Sequence, residues 1–163
     1  MSHVALVGKV LDMPPRIKVL EALGSIADGR ISLISGKEAV VGSSMGDREY
    51  RVYVDPERGE AYSNDNGTKF RGYIGYPIIA VLMLRGVLPY DERIAKAFAG
   101  LPWKELNERY KRYAVVEEIV KREASKKGVR REEVDHFIES VLRELAKLRL
   151  RYVEPPQGVG SIL

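Results

Sequence analysis

The sequence predicts an α+β fold with an N-terminal helix, a four- or five-stranded antiparallel meander sheet, a buried central helix and a long C-terminal antiparallel helical hairpin. Three observations predict it. Apolar residues repeat at helical spacing over Pro14–Ala27, the period changes to two from Arg30 to Asp55, and helical spacing returns from Asp91 onward. A chain of 163 residues supports one domain with a helical extension. The expected division is an α+β core over residues 1–100, a helical hairpin over 101–152 packed on or extending from it, and a flexible tail over 153–163.

The elements follow in order. Ser2–Leu11 is ambiguous: Val4, Val7 and Leu11 fit one helix face, while Val-Ala-Leu-Val also suits a strand. Pro14 and Pro15 open a helix in which Ile17, Leu20, Leu23 and Ala27 share a face, and Asp28-Gly29 stops it. Ile31–Ser35, Glu38–Ser44 and Glu49–Asp55 read as short strands. In the third, Tyr50, Val52 and Val54 are expected to face the core, and Arg51, Tyr53 and Asp55 to face water. Glu60–Asp65 and Thr68–Tyr73 flank Asn66-Gly67, a strong signal for a type I′ hairpin turn. Such a turn fixes register, so Glu60, Tyr62, Asn64, Lys69, Arg71 and Tyr73 share a polar face, while Ala61, Ser63, Phe70 and Gly72 pack inward.

Ile78–Leu84 is an unbroken apolar septet between Pro77 and Gly86, and is expected to be a buried helix. A buried strand is the competing reading, because periodicity alone does not separate the two. Asp91–Ala99 reads as a small amphipathic helix ending at Gly100. From Pro102 a long helix runs through Lys127, with Trp103, Leu106, Tyr110, Tyr113, Val120 and Ala124 on a three–four alternation broken by Glu117, with Val116 beside it, and Tyr110 and Tyr113 assigned to core or interface. Gly128 ends it. A last helix, Arg130–Leu150, carries the stripe Val134, Phe137, Val141, Leu145 and Leu148.

Composition limits function. With no cysteine, disulfides, thiol nucleophiles and thiolate metal sites are excluded. The two histidines, His3 and His136, are far apart in sequence, and His136 is assigned to the surface; no metal or cofactor is expected. High Lys, Arg and Glu content with one Gln and three Asn matches thermophile proteins. No apolar run approaches membrane-spanning length, and the N-terminus lacks the marks of a signal peptide, so a cytoplasmic, membrane-free location is expected. The net charge of +4 resides in residues 104–151, where fourteen basic side chains face ten acidic ones. That excess permits nucleic-acid contact without demanding it.

The candidate sites follow from these elements. Tyr62, Asn64, Lys69, Arg71 and Tyr73 on the hairpin face would bind an anion or a flat, stacked ligand, with Gly72 and Gly75 letting backbone amides approach it. Lys126, Lys127, Arg130 and Arg131 are the candidate nucleic-acid contacts. The spacing of Ala124, Gly128, Val129, Val134 and Phe137 resembles a helix-turn-helix. Against it, Glu123 and Lys127 stand at positions that are usually apolar, and Glu132, Glu133, Asp135 and Glu139 would face phosphates. Gly8-Lys9 lacks the upstream glycine and following Ser or Thr of a phosphate loop. The Ser63–Thr68 run fails as a calcium loop, because Tyr62 and Tyr73 fall where Asp and Glu are required. No nucleophile–base pair can be assembled from the sequence.

The leading expectation is therefore a non-catalytic binding or scaffolding module, touching nucleic acid through its basic half or self-associating through its long helices. The alternative is a binder of, or enzyme acting on, a small anion or nucleotide at residues 60–73.

Overall fold

The computed structural model describes residues 6–155. In chain order these form α1 (Ile17–Ala27), β1 (Ile31–Leu33), β2 (Glu38–Gly42), β3 (Glu49–Asp55), β4 (Glu60–Ser63), α2 (Asn66–Arg71), α3 (Tyr76–Leu84), α4 (Glu92–Lys96), α5 (Trp103–Tyr110), α6 (Tyr113–Lys126), α7 (Arg131–Leu148) and β5 (Arg151–Tyr152). The fold is mixed α+β, a five-stranded sheet with seven helices among the described residues. His3 and the start of the ambiguous N-terminal segment, together with the tail from Pro156, lie outside the described residues.

The sheet has the order β1-β2-β3-β4-β5. The pairs from β1 to β4 are antiparallel, and β4–β5 is parallel. An all-antiparallel sheet was expected, and β5 corrects that: it arrives after α7 and takes the register Glu60↔Arg151 and Ala61↔Tyr152. Leu11 and Gly8 then donate to Leu150 and Tyr152 carbonyls at 2.8 and 2.7 Å, covering the far side of β5.

Register sorts the faces. Ala39 lies opposite Val52, and Val54 opposite Ala61, all of them buried. On the other face the expectation of solvent fails, for Tyr53 pairs with Tyr62 and both are buried, as is Asp55. Asp55 is held by Lys37 at 3.1 Å and by the Arg58 amide at 3.2 Å.

Helix α3 lies against the core face of the sheet, touching β1, β3 and β4, and α1 lies against α3. All residues from Pro77 to Met83 are buried, as an all-round apolar helix requires. Helix α1 is almost as enclosed, with α4, α6 and α7 also in contact with it. Between α1 and the C-terminal helices runs an ionic cluster. Arg16 reaches Glu117 at 3.3 Å and Asp135 at 2.9 Å, and the buried Lys121 contacts both the same carboxylates. Shared partners satisfy a lysine that would be costly to bury alone.

The single long helix expected from Pro102 to Lys127 is two. Lys111 takes a left-handed φ of 54°, and Arg112 is extended, so the chain turns between α5 and α6. The turn lets Trp103 pack on α1 while Val116, Val120 and Ala124 are buried further along, and it leaves Tyr110 and Tyr113 exposed rather than in the core. No helix among the described residues is long and apolar enough to cross a membrane.

Trp103 depends on Gly24, where an added Cβ would lie 2.7 Å from the indole Nε1 and 3.1 Å from the Phe98 carbonyl. Gly24→Ala would gain about 1 kcal/mol of helix propensity, but crowding a packed core costs about 1–3 kcal/mol. The expected outcome is a lower urea midpoint at unchanged slope, with Trp103 fluorescence shifted.

Candidate functional site

The stretch after β4 holds the main departure from sequence expectation. The hairpin of Glu60–Asp65 with Thr68–Tyr73 does not form. Asn66 and Gly67 instead begin α2, with Asp65 as N-cap, its Oδ2 accepting from the Thr68 amide at 3.1 Å. Neither Asn66 nor Gly67 takes the positive φ that a type I′ turn requires; Gly72, at φ 74°, ends the helix. Gly67 is used for space. An added Cβ there would come 2.6 Å from Tyr73 Cζ, so the hydroxyl end of the Tyr73 ring packs against the glycine. At Gly75 it would come 2.6 Å from the Asp65 carboxyl carbon, so that carboxylate lies against the N-cap of α3. The Gly75 amide donates to Thr68 Oγ1 at 3.0 Å, tying α2 to α3.

These contacts form one wall of a cleft of about 430 Å³. Helix α1 supplies Lys18 and Glu21, the β2–β3 turn supplies Ser43, Asp47 and Arg48, and α5–α6 supply Trp103, Lys104, Asn107, Glu108 and Tyr113. Five aromatic side chains line it: Tyr50, Tyr73, Tyr76, Trp103 and Tyr113. So do five cations, Lys18, Arg30, Arg48, Arg71 and Lys104, and four carboxylates, Glu21, Asp47, Asp65 and Glu108. Along one side two rings lie between two cations: Arg48 lies 5.7 Å from the Tyr50 ring, Tyr50 meets Tyr76 edge-on at 6.2 Å, and Arg30 lies 5.9 Å from the Tyr76 ring. Arg30 is held by Nη1 donating to the Gly42 carbonyl at 2.8 Å and the Tyr76 hydroxyl at 3.3 Å.

On the floor Lys18 meets Glu21 at 2.9 Å and lies 5.0 Å from the Tyr113 ring. Burial opposes the Lys18 charge, but the Glu21 carboxylate and the Tyr73 and Tyr113 phenols outweigh it and hold the ammonium above the ordinary lysine range. Burial pushes Tyr73 up to about 12 against the pull of Lys18, with the Tyr113 hydroxyl adding to the rise. It does the same to Tyr76, against Arg30, again to about 12. Both phenols therefore stay protonated donors at neutral pH. At the rim the Ser43 hydroxyl, donating at 2.9 Å, holds Asp47 below the usual carboxylate range, with Lys104 at 3.6 Å helping.

Among the buried polar atoms of lining residues, Asp65 Oδ1, Asn107 Oδ1 and the Trp103 Nε1 donor have neither a hydrogen bond nor an ion pair, while Glu21 Oε2 and Arg30 Nε have ion pairs, to Lys18 and Asp28, without a hydrogen bond. Asp65 is 7% exposed, and among the described residues no cation lies within ion-pairing distance of it. Arg71, exposed at the rim, likewise has no ion-pair partner among the described residues.

Of the residues proposed from sequence, Arg71 and Tyr73 reach the cleft. Tyr62 is buried with its ring 5.8 Å from that of Tyr152, the Asn64 side chain accepts from the Arg51 amide at 2.8 Å, and Lys69 lies over Phe70. Phe70, expected to pack inward, is exposed, whereas Ala61, Ser63 and Gly72 are buried. Gly72 and Gly75 shape the backbone and do not line the cleft. The candidate nucleic-acid contacts are already engaged: Lys126 with Glu123, Lys127 with the Ala97 carbonyl, Arg130 with Glu133 and Arg131 with Glu118. His136 is exposed. Among the described residues no cluster of three or more histidine or acidic side chains is arranged to hold a metal.

Sequence reasoning missed Lys18, Glu21, Arg30, Tyr50, Tyr76 and Asn107. A signal existed for the first two, since a Lys–Glu pair three apart interrupts a helix otherwise apolar nearly all round.

A family model described as "Uncharacterised conserved protein UCP014422" matches residues 11–151, and the chain belongs to that family. The match spans every residue that lines the cleft. No curated protein and no solved structure matches the chain.

The tyrosine environments are directly measurable. In a spectrophotometric alkaline titration, the Tyr73 and Tyr76 phenols are expected to ionise near pH 12, about two units after free tyrosine. Tyr73→Phe and Tyr76→Phe should each remove one late-titrating phenol. Loss of an early-titrating one would contradict the burial described.

Proposed function

We propose that this family member is a small-molecule-binding protein whose ligand carries an anionic group and lodges in the cleft between α1, the β2–β3 turn, α2 and α5–α6. The observation that carries this reading is the convergence of five aromatic side chains and five cations on one cleft of about 430 Å³, with Arg71 unpaired at its rim. That size falls in the range of ligand pockets, which run about 300–1,000 Å³ and combine apolar walls with a few placed polar groups. Cationic side chains recognise carboxylate and phosphate groups, guanidinium often with two hydrogen bonds. The lining is assembled from residues between positions 18 and 113, so it exists only in the folded chain.

Binding is favoured over catalysis because one lining hydroxyl, that of Ser43, is committed to the β2–β3 turn and no nucleophile–base pair is seen in the lining among the described residues. Ser43 donates to Asp47 and accepts from the Arg48 amide at 3.1 Å, which closes the β2–β3 turn. Nucleic-acid binding through α6 and α7 is disfavoured because each of its four candidate cations would have to leave a protein partner.

Thermal-shift measurements with phosphorylated sugars, carboxylic-acid metabolites and nucleotides test this. A true ligand at hundredfold excess over its Kd adds about 2.7 kcal/mol, a rise of roughly 5–10 °C for a domain of this size. Arg71→Ala is expected to leave the unliganded Tm within a degree or so and to reduce the ligand-induced rise by more than half. Absence of any shift across the panel would sink the reading.

A further inference from the structure

The turn between α5 and α6 forms a second surface. We propose that Arg109 to Tyr113 bind single-stranded nucleic acid, the cations meeting successive phosphates and the tyrosines stacking on bases. Four of these five residues lie outside the cleft lining, and the inference stands whether or not a small ligand fills the cleft.

Every residue from Glu108 to Ala114 is exposed. Within that run Arg109, Lys111 and Arg112 have neither an ion pair nor a side-chain hydrogen bond among the described residues. The α6–α7 turn differs, because a phosphate there would have to displace Glu123, Glu133, Glu118 or the Ala97 carbonyl. At the α5–α6 turn it displaces only solvent. Two exposed carboxylates stand nearby on α5, Glu105 and Glu108, against the four cations Lys104, Arg109, Lys111 and Arg112. The cationic surface continues to the cleft rim, where Tyr113 stands with Arg48, Arg71 and Lys104, the last shared with Asp47 at 3.6 Å.

The backbone presents these side chains outward. Lys111 ends α5 at a left-handed φ of 54°, and Arg112 is extended before α6 begins. A residue with a Cβ is strained there, and after α1 and α3 it is a glycine, Gly29 or Gly86, that takes a positive φ. Here the same geometry carries a cation at the tip of the turn. The start of α6 adds partial positive charge, since it has no side-chain cap and no acidic residue in its first turn.

Charge alone would suit any polyanion, and the rings select among them. Tyr110 is 39% and Tyr113 37% exposed, and they alternate with the cations in the order Arg-Tyr-Lys-Arg-Tyr. Lys18 backs Tyr113 at 5.0 Å, while Tyr110 makes no ring or cation contact among the described residues. A base stacks on an open phenol ring, and the adjoining phosphates then fall within reach of the neighbouring cations. Paired bases in a duplex hide their faces, so the strand must be single. An acidic peptide supplies charge without rings, and a membrane surface favours aliphatic side chains, which Arg109 to Tyr113 lack.

Fluorescence anisotropy of the full chain tests this with a labelled single-stranded RNA of about twelve nucleotides at about 50 mM salt. The DNA strand, the duplex and an abasic strand of the same length are compared with it. The base-bearing single strands are expected to bind about tenfold tighter than the abasic strand, and tighter than the duplex. Either RNA or DNA supports the inference, and their ratio identifies the source. In Arg109→Gln/Lys111→Gln/Arg112→Gln the log–log salt slope should become shallower by about two, each single-strand phosphate contact contributing about 0.7. Tyr110→Ala is expected to weaken binding about fivefold or more, and Tyr110→Phe to retain it. Absence of binding at this salt overturns the inference. So does equal binding of the abasic strand, the duplex, inorganic polyphosphate or phosphatidylserine vesicles, and so does a native salt slope in the triple variant. Should that variant fail to fold, the abasic comparison and the two Tyr110 variants still decide. None of these outcomes bears on the cleft, which the small-ligand thermal shifts test separately.

Discussion

An apolar helix without a polar stripe must be covered on all sides, and α3 sets this requirement for the whole fold. Seven consecutive residues from Pro77 to Met83 are buried. Each large aliphatic side chain among them contributes about 1.5–3 kcal/mol when fully removed from water. The sheet covers one flank and α1 another, and α1 is in turn enclosed by α4, α6 and α7. The layering brings the start of α3 beside the floor of α1 and the β2–β3 turn, and the cleft opens there, with Tyr76 in its lining.

The cleft is built by close approach. Two glycines with ordinary φ, Gly67 and Gly75, serve as seats for Tyr73 and Asp65. A rigid ring and a carboxylate are thereby pressed onto backbone, where a Cβ would force them away. The same lack of side chains lets α2 sit tightly against the α3 N-cap, through the Thr68–Gly75 hydrogen bond. Position and chemistry are therefore coupled: the residues that join α2 to α3 are neighbours of the side chains that face the cleft.

Charge is distributed by the same logic. Two cations near the α6–α7 turn fasten elements together, Lys127 at the Ala97 carbonyl and Arg131 at Glu118, while Lys126 and Arg130 pair locally with Glu123 and Glu133. The cluster of Arg16, Glu117, Lys121 and Asp135 fastens elements together at the α1 junction. Net charge summed over a segment registers none of that pairing. Arg71, from a segment whose charges sum to zero, stands at the cleft rim without an ion-pair partner among the described residues, as does Arg48.

Local periodicity alone determined α1, the strands β1 to β3 and the burial of α3, because each depends on spacing within a few residues. It also picked out Arg71 and Tyr73, though for a face that does not exist. Tertiary structure decided the rest. Asn66-Gly67 carries a strong turn signal, but Asp65 capping and the need for Gly67 beneath Tyr73 favour a helix. The stripe from Trp103 to Ala124 reads as continuous, yet Trp103 must reach Gly24 and Val120 must reach the core, and the chain turns at Lys111 to satisfy both. The pairing of β5 with β4 joins residues some ninety positions apart. The cleft is the extreme case. Its aromatic, cationic and acidic members are scattered from Lys18 to Tyr113, and only long-range packing, which no spacing rule encodes, brings them within reach of one ligand.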